Sequence, residues 1–225
     1  MISLAGVAIS KISIAAAEIK KASLGETLVY SSALEVSDNF AGQDGALGPY
    51  TALAGNAPLR ASGRAQAGAP LSGSGNVVYA AYHNTSLTSQ DQEIDFTVIA
   101  PTGSLDATLG GGCFLRCAAN GNRAEILVYD DEVVIATRIG GTSSAKRSTP
   151  ITAMPTRIRC TAVGTTYTVY LNGSSTAAMS WADAGANPVV SLSNRFFGVV
   201  TVGNPGFLGG PERGYAIDGF TARDL

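Results

Sequence analysis

The sequence predicts an all-β protein, an antiparallel β-sandwich preceded by a short repetitive β segment, and three observations predict it. Short runs of apolar and β-branched residues alternate with Gly, Asn and Asp turns from residue 76 to the end. Residues 93–98 alternate strictly between polar and apolar side chains, as in a strand that is buried on one face. No segment sustains the apolar period of 3.6 residues that an amphipathic helix requires. Many short strands joined by turns favour a sandwich.

The predicted strands follow one another from residue 76 onward. They cover residues 77–82, 93–98, 113–118, 124–128, 132–139, 157–163, 167–171, 196–202 and 215–225. Asp130-Asp131 and Asn172-Gly173 predict turns after two of them. Residues 31–75 are rich in Gly, Ala and Ser, and they predict loops with short strands.

The first 31 residues repeat with a period of ten. Serine recurs at positions 3, 13 and 23, and aliphatic residues recur at 4, 14 and 24 and at 9, 19 and 29. A unit this short cannot bury its own apolar face, so it is stabilised by stacking on neighbours or on another chain. The repeat therefore predicts an attachment and oligomerisation segment over residues 1–31, followed by one domain over residues 32–225. The predicted assembly residues are Ile2, Leu4, Ile9, Ile12, Ile14, Ile19, Leu24 and Val29.

Charge and hydropathy exclude two classes of partner. The net charge is −2 at neutral pH, and no Lys/Arg stripe interleaved with aromatic residues is present, so we expect no nucleic-acid binding. No apolar run approaches the roughly 20 residues that span a bilayer, so we expect no membrane insertion. The apolar start of the chain lacks the basic region of a signal peptide, and we expect mature sequence made in the cytoplasm.

Neither the cysteines nor the acidic residues predict a metal or another cofactor. Cys113, Cys117 and Cys160 are an odd number in a long chain, which predicts buried free thiols rather than disulfides. Cys113 and Cys117 have no nearby His or third Cys to complete a zinc site. The run 130–132 is acidic but lacks the regular oxygen spacing of a calcium loop.

The strand with the strongest catalytic signal begins Glu93-Ile94-Asp95. Retaining glycosidases that are β-sandwiches carry two glutamates with an aspartate between them on one strand face, and they need both carboxyl groups. The second glutamate would stand at position 97 or 98, where this chain has Thr97 and Val98. The single histidine, His83, has no nucleophile motif to serve. We therefore expect no catalytic site.

A glycan-binding role requires aromatic rings for stacking and polar side chains for hydroxyl groups. Several such residues lie in or beside predicted loops, although the single tryptophan is equally compatible with a core or subunit contact. The candidates are Tyr82, His83, Asn120, Asn122, Arg123, Trp181 and Asp183.

The order of four motifs resembles the concanavalin A-like (laminin G-like) jelly roll over about residues 32–225. These motifs are Ser37-Asp38-Asn39-Phe40, Glu93-Ile94-Asp95-Phe96, the strand and turn at 167–173, and the closing strand at 217–225. The ten-residue repeat resembles the N-termini of minor tail proteins of tailed phages that infect actinobacteria.

The two resemblances together imply a virion structural protein of the phage tail tip or baseplate. They imply other tail proteins as partners, a homo-oligomer with a trimer favoured, and an exposed jelly roll that can bind host-surface glycans. Two alternatives to a structural role stay open. In the first, the main role is that of a host-receptor carbohydrate-binding module (a lectin). In the second, the protein is a glycoside hydrolase.

Overall fold

The computed structural model describes residues 33–53, 56–68, 75–184, 189–206 and 210–225, together with the backbone of four strands within the first 31 residues. Contacts divide the chain into two units, Met1–Leu34 and Glu35–Leu225. Among the predicted assembly residues, Ile12, Ile14 and Ile19 lie outside the described residues. The roles of the two parts of the chain stay predictions.

Nearly all regular structure in the described part is β. It contains one 3₁₀ turn, Ala107–Leu109, and no helix that is long and apolar enough to cross a membrane. The described strands in chain order are β1 (Ile2–Leu4), β2 (Val7–Ile9), β3 (Lys21–Leu24), β4 (Thr27–Ser31), β5 (Glu35–Asp38), β6 (Gly45–Ala46), β7 (Tyr50–Leu53), β8 (Leu59–Ala61), β9 (Arg64–Gln66), β10 (Val77–His83), β11 (Gln92–Ile99), β12 (Ser104–Leu105), β13 (Gly111–Cys117), β14 (Arg123–Val128), β15 (Glu132–Ile139), β16 (Thr142–Pro150), β17 (Ile158–Val163), β18 (Thr166–Leu171), β19 (Met179–Ala182), β20 (Phe196–Asn204), β21 (Glu212–Arg213) and β22 (Ala216–Asp224).

The sequence repeat produces a repeat of backbone structure. Strands β1 and β2 form an antiparallel hairpin in which Leu4 pairs with Val7. Strands β3 and β4 form a second hairpin in which Leu24 pairs with Thr27, at the same position of the ten-residue unit. Each hairpin thus forms from one unit, because its two apolar runs are separated by only two residues.

The unit Glu35–Leu225 is a sandwich of two sheets, which confirms the predicted fold class. Sheet A has the order β7-β10-β20-β13-β14-β15-β16, and β21 and β12 continue beside β20. Sheet B has the order β19-β18-β17-β11-β22, followed by β9-β8-β6, and β5 also pairs with β22. Neighbouring described strands run antiparallel except for the short β12–β21 pair.

The core lies between the sheets and is formed by alternate residues of the central strands. Sheet A contributes Leu115, Ile126 and Ile135, and sheet B contributes Ile94 and Phe96; all are at most 1% exposed. The three cysteines are also buried and free, as predicted. Burial raises the pKa of Cys117 and of Cys160 to about 12, so both thiols are protonated at neutral pH.

A buried arginine joins the two sheets at a β-bulge. The pairing of β13 with β20 shifts between Phe114 and Cys117, and Arg116 within the bulge has a φ of 49°. Its side chain is fully buried and donates hydrogen bonds to the carbonyl oxygens of Gln90 (3.0 Å) and Ala162 (3.1 Å). Its guanidinium also lies 5.2 Å from the ring centre of Tyr167. Because Arg116 belongs to sheet A and Ala162 and Tyr167 belong to sheet B, this one side chain connects the two sheets.

Strand β16, Thr142–Pro150, was not predicted because its sequence lacks apolar alternation. It pairs with β15 at the edge of sheet A, and most of its side chains are exposed. Backbone pairing alone therefore forms this strand, and the charges of Lys146 and Arg147 protect its free edge from pairing with other chains.

We expect the Arg116→Ala variant to lose about 3 kcal/mol of unfolding free energy. The substitution leaves the carbonyl groups of Gln90 and Ala162 without their donor and opens a cavity beside Tyr167. Urea unfolding followed by tryptophan fluorescence measures the loss. The control, Arg147→Ala on the exposed strand β16, should change stability by less than about 0.5 kcal/mol. Equal stabilities of the two variants would contradict this role of Arg116.

Candidate functional site

A polar groove of about 710 Å³ lies on the outer face of sheet B. Strand β22 forms its middle, with β5 on one side and β11 on the other. Because side chains alternate along each strand, every second residue of these strands points into the groove. The described residues that line it are Glu35, Ser37, Asp38, Asn39, Glu93, Asp95, Phe96, Thr97, Arg157, Gly219, Phe220, Thr221 and Arg223.

Small hydroxyl side chains form the floor of the groove. Ser37 pairs with Thr221 across β5 and β22, and Thr221 pairs with Asp95 across β22 and β11. The hydroxyl oxygens of Ser37 and Thr221 are 2.9 Å apart, at hydrogen-bonding distance. Gly219 and Thr97 form the next pair along the floor. The floor thus offers groups that can both donate and accept hydrogen bonds.

Glu93 lies in the groove between two arginines. Its carboxylate is almost fully buried; one oxygen accepts a hydrogen bond from Arg223 of β22, and the other lies 3.4 Å from Nη1 of Arg159 of β17. Arg159 in turn lies 4.0 Å from the ring centre of Tyr170. Both carboxylate oxygens of Glu93 are therefore already bound by guanidinium groups.

Asp95 and Arg157 form a bidentate pair at the rim of the groove. Nε of Arg157 donates to both oxygens of Asp95, at 2.8 and 2.9 Å, and Nη2 donates to Oδ2 at 2.5 Å. These hydrogen bonds raise the pKa of the Arg157 guanidinium. The Arg157 side chain is 61% exposed, so its remaining N–H groups face solvent over the groove.

The third outward position of this strand carries no carboxylate. Thr97 lines the groove beyond Asp95, and Val98 is 6% exposed and lies in the core. Hydrolysis with retention uses two carboxyl groups roughly 5–5.5 Å apart, one as nucleophile and one as acid and base. Here a hydroxyl stands where the sequence comparison with glycosidases placed the second glutamate.

Part of the predicted glycan site lies on the other sheet. Tyr82 and Arg123 both belong to the outer face of sheet A, on either side of Phe114. The ring of Tyr82 packs against that of Phe196 at 4.5 Å, and the guanidinium of Arg123 lies 4.8 Å from the ring of Phe114. Arg123 is 2% exposed and its charge is directed to Glu125 at 2.6 Å.

The asparagines of the neighbouring loop hold backbone turns. Asn120 accepts a hydrogen bond from the amide of Asn122, and Asn122 accepts one from the amide of Gly140. Asn120 is exposed, beside the end of β14 that carries Arg123. The structure thus brings Tyr82, Asn120, Asn122 and Arg123 to one side of the sandwich, away from the sheet B groove.

The other three predicted residues do not join them. His83 is buried; it stacks on Phe197 at 5.5 Å and accepts a hydrogen bond from the amide of Thr85. Burial lowers the pKa of His83 and favours the neutral imidazole. Trp181 is half-buried and stacks on Tyr167 at 5.4 Å, and Asp183 is buried and accepts a hydrogen bond from the amide of Val190.

Sequence reasoning missed the groove because its residues come from distant parts of the chain. Ser37 and Asn39 belong to the first motif of the jelly roll, and Gly219 and Thr221 belong to the last. These two motifs form neighbouring strands, in which Asp38 pairs with Phe220. The available signal was the order of the motifs, but the sequence did not show which side chains share a face. No cluster of His, Cys, Asp or Glu among the described residues is arranged to hold a metal ion.

Comparison with known proteins identifies the fold. No protein-family model matches the sequence, and the search of curated proteins found no match. The structure is similar to the seed lectin of Lotus tetragonolobus, with a TM-score of 0.55 and 11% identity over 85% of this chain and 99% of the lectin. It is similar to the laminarinase of Flavobacterium sp. UMI-01, with a TM-score of 0.54 and 10% identity over 84% of this chain and 99% of the enzyme.

A third similar structure is the catalytic domain of an endo-1,3-β-glucanase (laminarinase) from Thermotoga petrophila RKU-1. The TM-score is 0.52 and the identity 12%, over 86% of this chain and 98% of that domain. These similarities confirm the jelly-roll β-sandwich fold. Because the fold is shared by a lectin and by glucanases, it does not decide between binding and hydrolysis.

We expect the Glu93→Ala variant to lose about 2 kcal/mol of unfolding free energy. The substitution leaves Arg159 and Arg223 without their shared carboxylate, and their partial exposure lets water compensate part of the loss. Chemical denaturation measures the difference. Glu35→Ala is the control, because Glu35 is 55% exposed and 3.8 Å from Arg223, so its loss should cost less than about 0.5 kcal/mol. A Glu93→Ala variant as stable as the wild type would show that the ion pairs of Glu93 do not contribute to the free energy of unfolding.

Proposed function

We propose that this protein is a structural component of a phage tail tip or baseplate whose jelly-roll unit binds host-surface glycans in the sheet B groove without cleaving them. The observation that carries the proposal is the groove itself. Its floor of hydroxyl groups and its rim of carboxylate and guanidinium groups match the donors and acceptors of a sugar. The similarity in fold to a lectin and to laminarinases supports a carbohydrate as the ligand.

Binding without cleavage follows from the residues on strand β11. Glu93 is bound by two arginines and Asp95 by a third, so neither carboxylate is free to act as a nucleophile or to transfer a proton. Thr97 has no acidic proton for the leaving oxygen of a glycoside. Glycoside hydrolysis is the second candidate function, favoured by the Glu93–Asp95 spacing alone.

The tail location is supported by the N-terminal repeat. Two of its units form hairpins at equivalent positions, each too small to be stable alone. Stacking of such hairpins on other tail proteins or on sister subunits would bury their apolar residues. In the proposed assembly the protein is a homo-oligomer, with a trimer favoured. The hairpins dock it to the virion, and the jelly roll projects outward. Many weak glycan contacts then act together.

We expect saturable binding of the full-length protein to intact host cells, and loss of that binding when surface polysaccharide is stripped from the cells. Arg157→Ala should weaken binding about ten-fold, because a charge-assisted hydrogen bond to a sugar hydroxyl contributes on the order of 1.5 kcal/mol. Arg147→Ala, an exposed arginine on the edge of sheet A, is the matched control and should bind as the wild type. Fluorescence of the labelled protein on cells measures the binding.

Two further variants distinguish the alternatives in the same assay. Loss of binding in Asn120→Ala, with Arg157→Ala unchanged, would move the site to the loop face of sheet A. Release of reducing ends from the stripped polysaccharide, abolished in Glu93→Gln, would identify a hydrolase and overturn binding without cleavage. We expect neither the wild type nor Glu93→Gln to release reducing ends.

Deletion of residues 1–31 should abolish oligomerisation and incorporation into virions, while the jelly roll keeps its cooperative unfolding transition. The reason is that Glu35–Leu225 forms a compact unit with its own core. Light scattering coupled to size exclusion, thermal unfolding and electron microscopy of tails measure the three properties. A truncated protein that still enters virions would disprove the docking role of the repeat.

A further inference from the structure

We infer that the sheet B groove selects an uncharged polysaccharide and excludes polyanionic ones, such as polymers of uronic acids or of sugar phosphates. This inference rests on the proposed function and adds the chemical class of its ligand. The groove-facing side chains of the described lining carry three carboxylates, those of Glu35, Glu93 and Asp95, and two guanidinium groups, those of Arg157 and Arg223. Carboxylates are thus in excess where the ligand would lie.

Every guanidinium group in the groove or directly beside it already has a carboxylate partner. Arg157 is bound in bidentate fashion to Asp95, and Arg223 contacts Glu93 and, at 3.8 Å, Glu35. Arg159, on the neighbouring strand β17, contacts Glu93. A carboxylate or phosphate of a ligand would have to displace one of these internal partners and leave it unpaired in a partly buried position, which costs several kcal/mol.

The carboxylate in excess belongs to Glu35. Asp38 does not contribute, because its side chain lies on the core face of β5, where it accepts hydrogen bonds from the amide of Phe40 at 2.7 Å and from the hydroxyl of Tyr50 at 2.9 Å. Glu35 is 55% exposed at the rim. Its charge repels an anion at 4 Å by about 1 kcal/mol in water, and the repulsion is larger inside the groove.

A sugar hydroxyl neither displaces a paired carboxylate nor is repelled by Glu35, because it is uncharged and can donate as well as accept hydrogen bonds. The carboxylate of Asp95 keeps lone pairs that accept from hydroxyl groups, since a carboxylate offers about four acceptor sites. The exposed N–H groups of Arg157 and the hydroxyls of Ser37, Thr97 and Thr221 complete the set. An uncharged polymer therefore uses the groove without breaking an ion pair.

The test compares one backbone with and without charge. Neutral polysaccharide released from the host envelope is purified by anion exchange, and half of it is carboxymethylated. Calorimetry at low and at physiological salt then measures the affinity of the full-length protein for the neutral and for the carboxymethylated polymer. We expect the charged derivative to bind at least about ten-fold more weakly at low salt, with a smaller difference at physiological salt because charges are screened. The native anionic fraction of the envelope should bind as weakly as the derivative.

Variants assign the selectivity to the groove. Glu35→Gln should strengthen binding of the carboxymethylated polymer about three-fold at low salt and leave the neutral polymer within two-fold. Glu132→Gln, which removes the carboxylate of the first residue of β15 in sheet A, is the control and should change the binding of neither polymer.

Two outcomes are distinguishable. If an anionic polymer binds as tightly as the neutral one, the inference is wrong while glycan binding stands. If neither polymer binds and intact cells are not bound, the proposed function fails.

Discussion

The position of the last strand is the constraint on which the rest of the structure depends. Strand β22 pairs with β11 on one side and with β5 on the other, so both ends of the jelly-roll unit meet in the middle of sheet B. Asp224 fixes the end of this strand, because its Oδ1 accepts hydrogen bonds from the amides of Thr88 and Ser89, both at 2.9 Å. Without this strand, sheet B would lack the floor of the groove and the partner Arg223 of Glu93.

Ion pairs on the two sheets have different consequences. Arg116 and the Arg123–Glu125 pair are buried and make their polar contacts within the fold, so they hold strands and loops in register. The Asp95–Arg157 pair is bidentate and lies at a surface, where its unused donors and acceptors face solvent. Pairing between arginine and carboxylate therefore occurs both in the interior and at the surface, and the two settings differ in exposure.

Much of the fold could be predicted, because strands of sheet B alternate between polar and apolar residues and the central strands of sheet A form short apolar, β-branched runs between turns. The predicted strand at 93–98 is observed as Gln92–Ile99, and that at 132–139 is observed as Glu132–Ile139. Strand β16 could not be predicted, since it is exposed on both faces and forms only by pairing with β15. None of the predicted glycan-binding residues lines the sheet B groove, and they do not form one cluster elsewhere. Tyr82 and Arg123 share a face, but His83, the next residue after Tyr82, points into the core.

By itself, the sequence determined the all-β class, the turns, the free thiols and the period of the N-terminal repeat, because these follow from local patterns of side chains. It also determined that the position after Glu93 and Asp95 carries Thr97 rather than a second glutamate. Only the tertiary structure decided that Ser37 and Thr221, far apart in the chain, form one floor. It also decided that three arginines bind the two carboxylates of β11. The physical reason is that a groove across strands is made of pairings between distant segments, which local periodicity does not encode.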